Sequence, residues 1–391
     1  MKKTLAVLFG GCSSEYEISL QSAAAVLRQL SSDSFLTRYD IIPLGITRSG
    51  RWLRCMQPLS SLPLQLESDT WHLSPFCMPA ILSPSREDEN CSGLLTFCPD
   101  GSVEHTRLDL ALPVLHGRNG EDGRLQGLIE LAGIRLIGCG SLSSALCMDK
   151  YRAHQIAASV GISVPASVIL RQADYTRRAA ESGAGNSAGN GARNSARSVG
   201  GSGSEKPDSA ALRTLTGELE YPLFVKPVKE GSSHGITRVT QPDQLADAVT
   251  AAFAFDDEVI IEESVDGFEI GCAVMDDGRN GLLTGRVDEI ELLAEGFFDY
   301  HRKYDAADSR IHTPARIDPV TEALIAETAR TIYRALDCRG FARVDMFLTP
   351  NHEIVFNEVN TIPGMTVHSR FPKMLESAGI SFGGMLDRLL T

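Results

Sequence analysis

The chain has 391 residues, 43% hydrophobic and 22% charged, a length that favours two or three domains and a composition that excludes disordered, collagenous and coiled-coil proteins. Its 37 Lys and Arg stand against 50 Asp and Glu, a formal charge of -13, which argues against nucleic-acid or membrane-surface binding; a phosphorylated ligand would need local lysines and magnesium to overcome that field. No stretch approaches the roughly 18 apolar residues of a membrane span, and nine cysteines without CxxC or zinc spacing predict reduced thiols and a cytoplasmic location.

Met1-Lys2-Lys3 and the apolar run Leu5 to Phe9 imitate a secretory signal, but the run is short and ends in Gly10-Gly11 rather than a cleavage site. It reads instead as a strand buried on both faces of a parallel sheet. Ser19 to Leu30 has Leu20, Ala24, Leu27 and Leu30 at helical spacing, and Tyr39 to Ile46 and Leu108 to Leu115 read as further strands. The region from Ser49 to Thr106 is poorly patterned. Alternating strand and helix predict an α/β first domain. Ser143 to Gly161 carries one apolar stripe with Gly161 as its C-cap.

Between Glu181 and Ala210, seven glycines and seven serines fill 14 of 30 positions, with Val199 the one large aliphatic residue. Such a segment buries too little apolar surface to offset its ordering entropy, which predicts a flexible surface insertion. Short β-rich runs follow at Pro222 to Val228, Gly235 to Val239, Glu258 to Glu262 and Gly281 to Ile290. Then come an aromatic loop from Gly296 to Tyr304 and a helix over Thr321 to Leu336. Gly340 to Phe347 and Glu353 to Glu358 alternate as paired antiparallel strands.

Gly231-Ser232-Ser233-His234-Gly235 matches the G-x-S-x-G nucleophile elbow of serine hydrolases, but an elbow leads into a helix and Ile236 to Thr240 has strand periodicity. Two readings of the loop remain, a plain hairpin turn and a cradle of N–H groups for phosphates beside Lys226 and Lys229. No Gly-Lys dipeptide occurs, which excludes a Walker A loop. Arg343 and Asp345 share one strand face, and Glu358 and Asn360 another. If those faces align, two carboxylates and an amide oxygen converge as a partial shell for magnesium also held by nucleotide phosphates; the alternative is a solvated hairpin face. Glu262, Glu263 and Glu269 are either acceptors for an adenine amine and ribose hydroxyls or a charged strand end. In His116-Gly117-Arg118-Asn119-Gly120-Glu121-Asp122-Gly123, three glycines suit close approach of a ligand.

Together these residues resemble the D-alanine-D-alanine ligase family of ATP-grasp enzymes. The motifs are GGCSSEYEIS, HGRNGEDGRLQG, CMDK, FVKPVKEGSSHG, the KY of FFDYHRKY, ARVD and FNEVNTIPGMTVHSR, in the family's order between residues 10 and 370. The resemblance implies an α/β ATP-grasp fold with an amino-terminal Rossmann-like domain (residues 1–141), a small central α+β domain (142–235, including a flexible insertion at 176–212 and continuing to about 265) and a carboxyl-terminal grasp domain (236–391).

It also implies a reaction in which ATP phosphorylates the carboxylate of a first D-amino acid and the amine of a second attacks the acyl phosphate. Lys150, Lys226 and Lys303 would serve ATP, with Ser232 closing the glycine-rich loop over its phosphates. Glu262, Glu263, Val265 and Glu269 would hold adenine and ribose. Asp345, Glu358 and Asn360 match the ligands of two magnesium ions, a place manganese also fits, and Arg343 and the Gly364 backbone lie where the tetrahedral oxyanion is stabilised. Glu15 matches the residue that holds the first D-alanine's ammonium, with His116 near its carboxylate. Tyr304 would bond towards Ser232 and Glu15.

Two departures bear on the second substrate. Phe298 stands where many D-alanine-D-alanine ligases have tyrosine, and Arg370, after Ser369, where they carry an aliphatic residue. Both resemble the vancomycin-resistance ligases that join D-alanine to D-serine, which leaves D-alanyl-D-alanine synthesis as the first alternative. The different-class alternatives are a serine hydrolase and an inactive nucleotide-binding module. The family further implies a homodimer formed largely by the first domain.

Overall fold

The run Leu5 to Phe9 lies at the centre of the first sheet. Its strand, β1 (Lys3–Gly10), pairs in parallel with β2 (Tyr39–Ile46) on one side and β7 (Leu110–Pro113) on the other. Flanked on both edges and covered on both faces, Leu5 to Phe9 is fully buried, which is why the run is apolar without alternation. The computed structural model describes residues 2–85, 93–177, 212, 214–231, 234–276, 281–293 and 309–391. The expected insertion at 176–212 falls almost wholly outside these residues, as do Ser232, Ser233, Phe298, Lys303 and Tyr304.

The poorly patterned region from Ser49 to Thr106 extends the same sheet. It supplies β3 (Trp52–Cys55), β4 (Cys77–Ser83), β5 (Gly93–Phe97) and β6 (Val103–Arg107), and with β8 (Arg135–Leu136) the order is β6-β5-β4-β3-β2-β1-β7-β8. These added strands are antiparallel and short, and β6 is almost entirely exposed at the sheet edge, so little hydrophobic periodicity marks them. Helix α1 (Tyr16–Leu30) starts earlier than its apolar spacing indicates. Tyr16 is buried, donates its hydroxyl proton to Asp69 (2.9 Å) and accepts from the Trp71 indole (3.2 Å), which anchors the extra turn.

The stripe from Ser143 to Gly161 is two helices, Ser141–Met148 and Lys150–Ser159, because Asp149 leaves helical geometry and caps the second one by accepting from the Arg152 N–H at 2.9 Å. That cap makes Lys150 the first residue of its helix. Gly161 follows the helix end with φ +83°, as a C-terminal glycine does.

The chain divides into two compact units. One comprises the chain to Val164 together with the segments that follow Asp266, and the other is built on Pro165–Val265. The helices of residues 141–159 therefore pack in the first unit. Within the second, β9 (Ser167–Arg171), β10 (Leu223–Pro227), β11 (Thr237–Val239) and β12 (Glu258–Glu263) form an antiparallel sheet in the order β11-β10-β12-β9, packed under helix Leu245–Ala252. The strand β11 follows Gly231 to Gly235 directly and pairs back on β10. A hairpin, not a strand-turn-helix, carries that motif, so the hydrolase elbow has no structural basis.

In the first unit a second sheet comprises β13 (Phe268–Asp276), β14 (Leu282–Thr284), β15 (Asp288–Leu292), β16 (Ser309–His312), β17 (Phe341–Leu348) and β18 (Ile354–Asn360), in the order β16-β15-β13-β17-β18 with β14 on β13. The helix Pro319–Ala335 covers it through Ile325, Ala329, Ile332 and Tyr333. Asp318 caps that helix and Pro319 opens it, moving its start ahead of the first periodic apolar residue. No helix among the described residues is long and apolar enough to cross a membrane.

Candidate active site

The hairpin of β17 and β18 aligns its polar faces. Arg343 lies opposite Asn360 and Asp345 opposite Glu358, with a bulge immediately beyond Asp345. Asp345 is buried and receives the Arg343 guanidinium at 2.7–3.0 Å and the Asn360 amide nitrogen at 2.9 Å. Lys150 Nζ reaches Glu358 at 3.9 Å. Burial opposes the Arg343 charge, but the Asp345 carboxylate holds that guanidinium above its ordinary value. Two carboxylates and one amide are too few to enclose a cation. Among the described residues no third His, Cys, Asp or Glu completes a cluster, so the donor set suits a hard ion that keeps water or phosphate ligands.

Arg370 joins this hairpin to two further strands. It is buried, clamps Asp288 on β15 with two bonds of 2.8 Å, donates to Glu269 on β13 at 2.8 Å and lies 3.5 Å from Asp345. Desolvation works against its charge, yet Asp288, Asp345 and Glu269 together keep it well above the usual range. Gly271 is required beneath it, because a Cβ there would stand 2.4 Å from Arg370 Nη2. Sequence assigned Glu269 to a ribose and Arg370 to the second substrate; both sit on the first unit in contact with each other.

A second cluster ties three loops of the same unit together. Ser13 Oγ donates to the His116 carbonyl at 2.7 Å and accepts from the Glu15 N–H at 3.1 Å. Ser22 Oγ lies 3.2 Å from His116 Nε2 and accepts from the Met365 N–H at 3.1 Å. The Glu121 carboxylate accepts from Gly117 N at 2.7 Å and from Ile362 N at 3.2 Å. Gly117 adopts φ +70°, and a Cβ on it would meet Glu15 Oε2 at 2.5 Å, so the glycine lets that carboxylate lie against the backbone. Gly364 packs as closely on Ser369. Burial depresses His116 in spite of the nearby Glu15 charge, leaving a neutral ring. Burial, with the Glu15 carboxylate adding to it, pushes Glu121 up to about 8. Arg343 acts electrostatically on both His116 and Glu121, which joins the two clusters into one site.

The second unit carries its own polar pair. Lys226 on β10 and Glu262 on β12 are both buried and form an ion pair between adjacent antiparallel strands. Glu263 accepts from the Glu220 N–H at 2.8 Å, and the backbone bond from Ser264 N to Pro222 O at 3.0 Å fixes the turn that leads into Val265.

Of the residues singled out from sequence, Glu15, His116, Lys150, Glu269, Arg343, Asp345, Glu358, Asn360, Gly364, Ser369 and Arg370 belong to the first unit, and Lys226, Glu262, Glu263 and Val265 to the second. Sequence reasoning gave no role to Ser13, Ser22, Glu121 or Asp288. Glu121 stood inside a noted motif, and Asp288 was a carboxylate in an otherwise strand-like run.

This architecture, with an acid and amide hairpin beside a buried arginine on one unit and a buried lysine on a small antiparallel unit, defines an ATP-grasp ligase. Family models described as the D-ala D-ala ligase N-terminus and C-terminus match residues 4–139 and 199–391. The vancomycin B-type resistance protein VanB of Enterococcus faecalis is 37% identical over 394 residues, covering 100% of this chain and 98% of that protein. A D-alanine–D-alanine ligase of Caldicellulosiruptor bescii is 34% identical, with 100% and 94% covered. The crystal structure of the VanG D-Ala:D-Ser ligase from Enterococcus faecalis superposes with a TM-score of 0.81 at 46% identity, covering 100% of this chain and 99% of that one. The chain belongs to the D-alanine–D-alanine ligase family, whose members form a peptide bond at the expense of ATP.

Proposed function

We propose that this enzyme ligates D-alanine to D-serine. The observation that carries the reading is Arg370, which takes the place of an aliphatic residue. Three of its five N–H donors are engaged by Asp288 and Glu269, which fixes the plane of the guanidinium and leaves two for a substrate hydroxyl. The likeness to a D-Ala:D-Ser ligase at 46% identity supports the same choice.

The chemistry is positional and electrostatic. Glu15 holds the ammonium of the first D-alanine, and neutral His116 lies beside its carboxylate without adding charge. Lys150 and Lys226 neutralise the phosphates of ATP, over which Ser232 and the loop bearing Lys303 and Tyr304 close, while Glu262, Glu263 and Val265 hold the base and ribose. Asp345, Glu358 and Asn360 are the residues that would hold two magnesium ions, whose chemistry is to neutralise charge on the transferring phosphoryl group. The D-alanine carboxylate attacks the γ-phosphorus, ADP leaves, and the D-serine amine adds to the acyl phosphate. Arg343 and the Gly364 N–H receive the tetrahedral oxyanion, and phosphate departs. Phe298 and Arg370 shape the pocket of the second side chain. In this reading the protein works in the cytoplasm as a homodimer.

The test is turnover with ATP, D-alanine and an equimolar mixture of D-serine and labelled D-alanine as acceptors. D-alanyl-D-serine should dominate near neutral pH. D-alanyl-D-alanine as the main product across the pH range would overturn the D-serine assignment and leave the ligase assignment standing.

A further inference from the structure

Eight cysteines lie among the described residues, and none is bridged to another. Two pairs bring their sulfurs close. Cys147 and Cys338 lie 3.7 Å apart but are 4% and 7% exposed, out of reach of a dissolved oxidant. Cys55 and Cys77 are different. They stand directly opposite each other on the antiparallel strands β3 and β4, with Sγ atoms 3.3 Å apart, and Cys77 is partly exposed while Cys55 is buried.

The position on the ladder favours a covalent bond. The next pair, Met56 and Phe76, exchanges a backbone bond from Met56 N to Phe76 O, and the Cys77 N–H turns to Ser74 O instead of across the ladder. Cys55 and Cys77 therefore occupy a non-hydrogen-bonded site, where Cα atoms approach to about 4.5 Å, inside the roughly 4.4–6.8 Å range of disulfides. Only the sulfurs must close up, by side-chain rotation.

We propose that Cys55 and Cys77 are a modification site, forming a reversible cross-strand disulfide by exchange with small-molecule disulfides. Cys77 is the attacking group. Contact with the Cys55 thiol holds Cys77 below the ordinary thiol range, while the same contact and burial push Cys55 up, so the exposed sulfur is the more thiolate-like one. It attacks one sulfur of the small disulfide and expels the other half, which takes up the proton that Cys77 gave up. Cys55 then attacks Cys77 Sγ, expelling the second half as a thiol that carries away the Cys55 proton. Two protein thiols are oxidised and one small disulfide is reduced to two thiols. The bond spans 22 positions of sequence, and the loop it closes contains Trp71, whose indole donates to the Tyr16 hydroxyl at 3.2 Å, next to Glu15. Oxidation thereby clips shut the wall behind Glu15.

The test uses the full-length protein, reduced, desalted, incubated with oxidised glutathione, alkylated with iodoacetamide and digested without reductant for mass mapping. The expected product joins the Cys55 and Cys77 peptides, weighs two hydrogen atoms less than their sum, and is lost on adding dithiothreitol. In Cys55→Ser the exchange should stop at a glutathione adduct on Cys77. Full alkylation of Cys77 in wild-type protein whose exposed Cys12 has taken up glutathione would overturn the proposal. So would a glutathione adduct that persists on wild-type Cys77 with Cys55 alkylated.

Discussion

Glu121 offers a direct measurement of how the site is built. Folded, it keeps its proton up to about pH 8, whereas its ordinary value is 4.5. Between these values the native state binds more protons than the unfolded chain, so stability is greatest at low pH and falls as pH rises towards 8. His116 has the opposite sign: its folded value lies below the ordinary 6.5, so it makes stability rise with pH, and that contribution is complete above about 6.5. The interval from 6.5 to 8 therefore belongs to Glu121, and 1.5 pH units at about 1.36 kcal/mol each give about 2 kcal/mol. Glu121→Gln removes the titration and one of two backbone acceptors, which costs about 1–3 kcal/mol where the native side chain is protonated. Urea unfolding at a series of pH values, followed by fluorescence of Trp52 and Trp71, both in the first unit, should show a falling stability for wild type and a flat one for the variant. The variant should be the weaker protein at pH 6.5 and close the gap by pH 8. Parallel curves over that interval would refute the reasoning.

Other outcomes follow from the same contacts. Glu358→Gln should raise the magnesium needed for ADP release by at least the roughly 10–100-fold that loss of an outer-shell partner costs a metal site, and unchanged magnesium dependence would remove Glu358 from the ligands. Arg370→Leu strands the buried Asp288 and Glu269 charges and should cost about 3–5 kcal/mol in unfolding free energy, with Asp288→Asn added to the same protein restoring part of it; no recovery would contradict the pairing. Gly271→Ala, whose Cβ would lie 2.4 Å from Arg370 Nη2, should destabilise by about 1–3 kcal/mol through overpacking. Deleting Glu181 to Ala210 should leave turnover nearly unchanged, and a large loss would mean that this segment touches the site or a partner.

How far the sequence could be read depended on whether a feature was local. β1 and β2 were legible because strands covered on both faces must be apolar throughout. The β17–β18 hairpin was legible because period-two alternation placed Arg343 with Asp345 and Glu358 with Asn360, although their register, and so their convergence, needed the structure. The helix break at Asp149 was hidden because apolar spacing continues through it. The strands between Ser49 and Thr106 were hidden because they are short and only half-covered. The partners of Arg370 lie 82 and 101 positions away, and no periodicity spans such distances. Glu121 was visible as a residue but not as an acid that keeps its proton, since that depends on burial beside Glu15.

The net charge of -13 acquires a local meaning in the first unit. Glu15, Glu121, Glu269, Asp288, Asp345 and Glu358 gather there, against Arg343, Arg370 and Lys150. Because Glu121 is protonated below about pH 8 and His116 is neutral, five negative charges face three positive ones before any substrate arrives. The first D-alanine is a zwitterion and changes nothing, but ATP adds several more negative charges. Bringing a triphosphate against such a site is unfavourable unless cations come with it. The half-buried Glu358 and Asn360 beside Asp345 offer oxygen ligands where divalent ions can do this. The same excess accounts for the proton on Glu121: an ionised sixth carboxylate beside Glu15 would deepen the imbalance that ATP must meet, so raising the pH through 8 should weaken nucleotide binding as well as folding. Nucleotide affinity that holds constant from pH 6.5 to 9 in wild type, measured at saturating magnesium, would separate the two effects and leave Glu121 a purely structural acid.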